Sequence, residues 1–313
     1  MLVLRSAIGY YTSMFLSKLP QPLQKLIPIL LIVLTVAIFG YFFVKHPQLK
    51  HALATTNPAV LAVIVGLYIV MLACLTFIYS LQLKICGHAI SLRENALLTG
   101  YSTIANFFGP LQSGPGVRAV YLKQKHNVKL RDYTIVSLVY YAFFAVISVA
   151  LLLFGSVAWW LSGLGVITVG ALSYGIIAFA RHTAKELSNL TFKPQLLLQL
   201  FALTMVQLLL AAFIYGIELH ALHIHATWKQ TLSFTGAGNF ALFVSLTPGA
   251  IGFRESFQVF ARRLHHLSTT TILAVSVIDR AAYLLFLLVL FVIILAFHAQ
   301  DKLGLGKPTE TAN

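Results

Sequence analysis

The chain has 313 residues, of which 59% are hydrophobic and only 10% charged, with a formal net charge of +14 and a mean hydropathy of +0.86. So little polar surface cannot cover a water-soluble globule of this size, which excludes a soluble domain and points to a bilayer. Lys and Arg fall in short segments between apolar runs, so the positive charge speaks for topology-setting loops beside anionic lipid and against nucleic acid.

Residues 1–26 carry Arg5, Lys18 and Lys25 without an acid, which predicts a cytoplasmic N-terminal segment, and no small-residue cleavage site follows an early apolar run. From residue 27 to 300 the chain reads as a single membrane domain, with 301–313 a polar tail. Six windows, Ile27 to Val44, Pro58 to Leu83, Tyr133 to Phe154, Val157 to Ala180, Leu196 to Ile217 and Ala281 to Phe297, are each apolar enough to cross about 30 Å of hydrocarbon as helices. Alternating strand patterns are missing, so the fold class is all-α and polytopic, and a barrel is excluded. Cys74 and Cys86 are read as reduced packing residues.

Between the spans at Pro58 and Tyr133 stands "ENALLTGYSTIANFFGPLQSGPGVR", Glu94 to Arg118, short in its apolar part and broken by Gly109, Pro110, Gly114, Pro115 and Gly116. Basic residues flank it on both sides, so the positive-inside rule is satisfied if it enters and leaves on the cytoplasmic side as a re-entrant element. "TGAGNFALFVSLTPGAIGFRESF" repeats its organisation: an Asn early in an apolar run (Asn106, Asn239), a Pro and Gly break (here Pro248, Gly249, Gly252), then Gly, a hydrophobic residue and Arg (Arg118, Arg254). An N-cap for the next span is expected at Asp132 and Ser268. The repeat elements lie near 94–154 and 231–298, with three spans between them. An odd number predicts opposite orientations, the arrangement of inverted-repeat transporters. About six full spans plus two re-entrant broken-helix elements therefore describe the chain. Against this, Arg254, Arg262 and Arg263 would lie outside; a full crossing by Thr231 to Thr247 is the alternative.

Broken backbone at membrane depth is tolerated only where it lines a cavity, and Arg254, Glu255, Asp279 and Arg280 stand close to or within apolar segments, where ions are costly. A guanidinium and free backbone N–H groups at a helix start suit a phosphate, so Arg118 and Arg254 are candidate ligands. Glu255, Asp279 and Arg280 are read as counter-ions or headgroup contacts, and Asn106 and Asn239 as partners for broken backbone or substrate. The plainer reading makes each Arg a headgroup anchor and the acids structural ion pairs. After the fifth span come Glu218, His220, His223 and His225, taken as an outer loop; the histidines do not share one helical face, so no metal site is expected. The lone Gly236-x-Gly238 lacks a preceding strand, no Walker A loop or catalytic constellation is found, and no cofactor is expected.

"SLTPGAIGFRESF", "NFFGPLQSGPGVRAVYLKQKHNVKLRD" and "DRAAYLLFLL" resemble elements of the lysylphosphatidylglycerol synthase transmembrane region, a flippase-like family, over about residues 27 to 298. The resemblance implies an integral membrane protein, in a bacterial inner membrane, that moves lipids or lipid-linked compounds between leaflets and works beside a separate lipid or glycan synthase. It implies no aminoacyl transfer, since no synthase domain follows the membrane domain up to Asn313. One departure is Pro115, where family members usually carry an acid. An intramembrane headgroup-modifying enzyme and a scaffold for a lipid synthase are the competing readings.

Overall fold

The computed structural model describes residues 56–108, 113–156, 190–222, 226–244, 253–261 and 269–303, with scattered positions between them. Eight helices organise these stretches: α1 (Pro58–Ile85), α2 (Leu92–Phe108), α3 (Gly114–His126), α4 (Leu130–Ser156), α5 (Pro194–Ala221), α6 (Trp228–Val244), α7 (Phe253–Ala261) and α8 (Thr269–Leu303). No strand occurs among the described residues, as the all-α reading requires. Four of the helices contain stretches long and apolar enough to cross a membrane: Pro58–Ile85, Leu130–Phe154, Pro194–Ala221 and Ala274–Phe297. The window at Ile27 to Val44 lies almost wholly outside the described residues, as do 1–26 and the end of the tail, and the window at Val157 to Ala180 is described only at scattered helical positions.

Each crossing helix starts where local chemistry favours it. Asn57 caps α1, its side chain accepting from the Ala59 N–H at 2.9 Å, with Pro58 in the first turn. Pro194 opens α5 in the same way. The 28 residues of α1 rise about 42 Å, more than a hydrocarbon core requires. Two boundaries differ from expectation. Asp132 lies within the first turn of α4 and does not cap it, because the helix begins at Leu130. The last crossing helix starts at Thr269, so Asp279 and Arg280 stand well inside it, where a cut at the last charged pair had left them before the span.

Three apolar clusters hold the helices together. One joins α1, α4 and α5 through Ile78, Phe143, Ile147 and Leu200. A second packs α1 and α2 on α8 through Ile64, Leu97 and Leu287. The third joins α5, α6 and α8 through Leu219, Phe234 and Val275. Large apolar side chains on the opposite faces are left uncovered, among them Phe77, Leu138, Leu198 and Val292, each more than half exposed. Exposed large apolar side chains on membrane-length helices are what hydrocarbon covers.

The order helix, break, helix, crossing helix occurs twice, as α2–α3–α4 and α6–α7–α8. In the first copy α3 folds back on α2 so closely that a Cβ at Gly114 would lie 2.4 Å from the Ser102 carbonyl oxygen. Only glycine permits that approach. The Ser113 hydroxyl donates to the Ala105 carbonyl at 2.8 Å and fastens the reversal. In the second copy α6 packs along α4, and Gly236 sets their separation. Gly109, Pro110, Pro248, Gly249 and Gly252 lie outside the described residues. Gly116 stands in the first turn of α3, with nothing within 4 Å of its Cβ position.

Candidate functional site

Both broken elements and α8 meet at one cavity of about 260 Å³. Its walls include Ser102, Asn106, Gly114 and Pro115 from the first element, Asn239 and Arg254 from the second, Asp279 and Arg280 from α8, and Tyr68 from α1. Residues more than 200 positions apart thus share one polar patch between crossing helices.

At its centre Arg254 Nη1 pairs with Asp279 Oδ2. The Tyr68 hydroxyl donates to the other oxygen, Asp279 Oδ1, at 2.8 Å. Tyr68 is itself held edge-on against Tyr283, with ring centroids 5.0 Å apart. The pair is unequal: the Asp279 side chain is 6% exposed and that of Arg254 23%. The carboxylate is fixed from two sides while the guanidinium faces the cavity. Arg254 Nε, Asn239 Nδ2 and Asn106 Oδ1 have no hydrogen-bond partner among the described residues, although all three residues line the cavity. Unmade hydrogen bonds of buried groups are costly, so this wall is suited to a polar ligand. Gly238 makes room for the arrangement: a Cβ there would lie 3.2 Å from Arg254 Nε and 2.9 Å from Gln258 Nε2.

Of the residues singled out in the sequence, Asn106, Asn239, Arg254, Asp279 and Arg280 come together. The Glu255 side chain lies outside the described residues. Arg118 is elsewhere: it is fully buried between α1, α2 and α3. There Nη2 donates to Asn95 Oδ1, Nη1 reaches Thr99 Oγ1 at 3.4 Å, and the guanidinium stacks on Tyr79 at 4.1 Å from the ring centroid. Asn95 passes the network on to the Thr76 carbonyl at 2.8 Å and to Ser80 Oγ at 2.7 Å. No carboxylate among the described residues pairs with Arg118, and cation–π contact with uncharged acceptors compensates its charge.

Among the residues at or behind the site that escaped the sequence reading, three are instructive. Tyr68 sits mid-span with no charge to mark it. Gly238 was noticed only as part of a weak Gly-x-Gly. Glu218, taken as an outer-loop residue, lies inside α5 and is 0% exposed. Its signal was the helical spacing from Ile214 and Tyr215, one turn earlier and both buried.

A second polar cluster lies at the α2 start. Glu94 accepts from the Tyr121 hydroxyl at 2.5 Å and from Lys125 Nζ at 2.8 Å, and meets His126 Nε2 at 2.8 Å. Burial alone would raise its carboxyl, but hydrogen bonds from Lys125, Tyr121 and His126 outweigh it and hold Glu94 at about 2.

With this geometry established, comparison decides the family. The family model described as the lysylphosphatidylglycerol synthase TM region matches residues 26–290. The chain belongs to that family. No curated protein matches it. As a lysylphosphatidylglycerol synthase TM region it is an integral membrane protein, and the four apolar helices and their uncovered faces agree. In this TM region the match spans both broken elements and the ion pair between Arg254 and Asp279.

Proposed function

We propose that this protein carries an anionic phospholipid or a polyprenyl-phosphate-linked compound between leaflets, with the phosphate in the cavity and the tails in lipid. The observation that carries the reading is the guanidinium of Arg254, which lines the cavity beside a buried counter-ion and is hydrogen-bonded through Nη1 to Asp279 but not through Nε among the described residues. Arg offers a phosphate two parallel hydrogen bonds, and Asn239 Nδ2 adds a donor from the neighbouring helix. A cavity of about 260 Å³ among crossing helices, with a polar patch in a largely apolar wall, has room for a headgroup but not for acyl chains. The frame for this is about six crossing helices with two re-entrant elements in opposite orientation, N-terminus on the cytoplasmic side of a bacterial inner membrane.

Two measurements test it. Purified protein in vesicles containing fluorescent phosphatidylglycerol should move the probe between leaflets without changing it. A chemically altered headgroup would make the protein an enzyme, and neither movement nor chemistry would leave a scaffold for a synthase. For the frame, single cysteines at position 127 and position 263, in a background lacking Cys74 and Cys86, should react from opposite sides of the membrane. Reaction of both from one side would refute the inverted arrangement.

A further inference from the structure

The far end of the cavity, away from the ion pair, has a different chemistry. Tyr68, Leu72, Leu75 and Tyr79 line the cavity from one face of α1. Tyr68 holds Asp279 at 2.8 Å, and Tyr79 stands eleven positions further along, about 16 Å at the rise of an α-helix. The wall changes partners over that length. Tyr68, Leu72 and Tyr283 pack in the apolar cluster on α8, whereas Leu75, Tyr141 and Phe144 pack against the cluster that joins α1, α4 and α5, to which Tyr140 belongs.

At this end the polar groups are uncharged. The Tyr140 hydroxyl donates to Gln207 Oε1 at 3.0 Å, from α4 to α5, which leaves the amide N–H2 group over. That group and the hydroxyls of Tyr79 and Tyr141, all on residues of the cavity wall, make no hydrogen bond to a described residue. The Tyr140 and Tyr141 rings pack on each other with centroids 5.0 Å apart. A sugar matches such a wall, since its C–H face lies on aromatic rings while its hydroxyls exchange hydrogen bonds with phenol and amide groups. Aromatic walls also take ammonium ions. Here, however, the ring of Tyr79 is already covered by the Arg118 guanidinium, 4.1 Å from its centroid, which repels a second cation. Arg254 and Arg280 line the cavity as well, and Asp279, the one acid in the described wall, has both oxygens engaged, by Arg254 and by Tyr68.

We infer that the end of the cavity at Tyr79, Tyr141 and Gln207 is a subsite for an uncharged glycosyl group, which makes the ligand a lipid-linked sugar phosphate. This rests on the reading of Arg254 as the phosphate ligand. With the phosphate at Arg254, one or two sugar units extend along α1 to the tyrosines. The glycerol of phosphatidylglycerol covers only part of that length, so this lipid is carried as a poorer substrate.

Binding of short probes to the full chain, purified in a sugar-free detergent, tests this. Three farnesyl phosphodiesters share one tail and one phosphate charge and differ in the second ester: methyl, glucosyl or ethanolamine. The glucosyl diester should bind about ten-fold tighter than the methyl diester, as two or three neutral hydrogen bonds imply, and the ethanolamine diester no tighter than the methyl. In the double variant Tyr141→Phe/Gln207→Leu the glucosyl preference should fall to within about two-fold, the loss of those same bonds. Equal binding of glucosyl and methyl diesters to the wild type would overturn the subsite and leave the phosphate reading standing. Tightest binding of the ethanolamine diester would also overturn it and make the aromatic wall an amine cage. A glucosyl preference that persists in the double variant would overturn it by placing the sugar elsewhere. Failure of all three to bind would overturn the phosphate reading and the subsite together. If the double variant does not fold, Tyr141→Phe alone decides, since it removes one oxygen: a lowered glucosyl preference supports the subsite, and an unchanged one refutes it.

Discussion

Arg254→Lys is expected to slow leaflet-to-leaflet movement of phosphatidylglycerol about ten-fold or more, although the charge is kept. Lysine can still neutralise Asp279, but it presents a point charge where the guanidinium presents a planar fork in the cavity wall. Loss of one charge-assisted hydrogen bond to a phosphate costs about 1.5 to 3 kcal/mol, which is ten-fold or more in affinity. The retained ion pair keeps the buried carboxylate compensated, so expression and monodispersity in detergent should stay near wild type. An Arg254→Lys protein with full lipid movement would reduce Arg254 to a structural partner of Asp279.

The second large effect concerns packing. A Cβ at Gly236 would lie 2.5 Å from both Leu152 N and the Ser148 carbonyl oxygen, and 3.0 Å from Leu152 Cα. These are backbone atoms of α4, which no rotamer change can move aside. Gly236→Val must force α6 from α4, break the Ser233 to Leu152 hydrogen bond of 3.2 Å and open the fully buried surface of Phe234. Overpacking of this kind costs about 1 to 3 kcal/mol and more where backbone is met, and the variant should lose its monodisperse peak in detergent. Gly66→Ala is the control, since nothing lies within 4 Å of its Cβ position and alanine is the better helix former by about 1 kcal/mol. Equal thermal stability of the two variants would show that α6 and α4 are not held at this contact.

The crossing helices at Pro58, Leu130 and Pro194 were legible because hydrocarbon imposes length and apolarity on a local window, and each starts within three residues of the sequence estimate. The cavity was legible in outline: Asn106, Asn239, Arg254 and Asp279 stood out as polar groups or breaks in an apolar context, and all four line it. What failed had a common cause. Glu218 ended a window because it is charged, yet a buried acid can continue a helix when its face meets Asp279 and Arg254 across the fold. Arg118 and Arg254 looked equivalent by motif, but Arg118 finds Asn95, Thr99 and Tyr79, partners supplied by α1 and α2 and invisible in its own segment. Tertiary placement separates a ligand from a structural cation, and one-dimensional spacing does not carry it.

The clasp at Glu94 has a mechanical meaning. The hairpin of α2 and α3 is fastened beside its fold by Ser113 on Ala105 and at its open end by Glu94 on Tyr121, Lys125 and His126. These two ties hold the described parts of α2 and α3 together at both ends of their contact. Under the transport proposed above, α2 and α3 would move together as one lever, and the bending would fall to the chain that connects them to their neighbours.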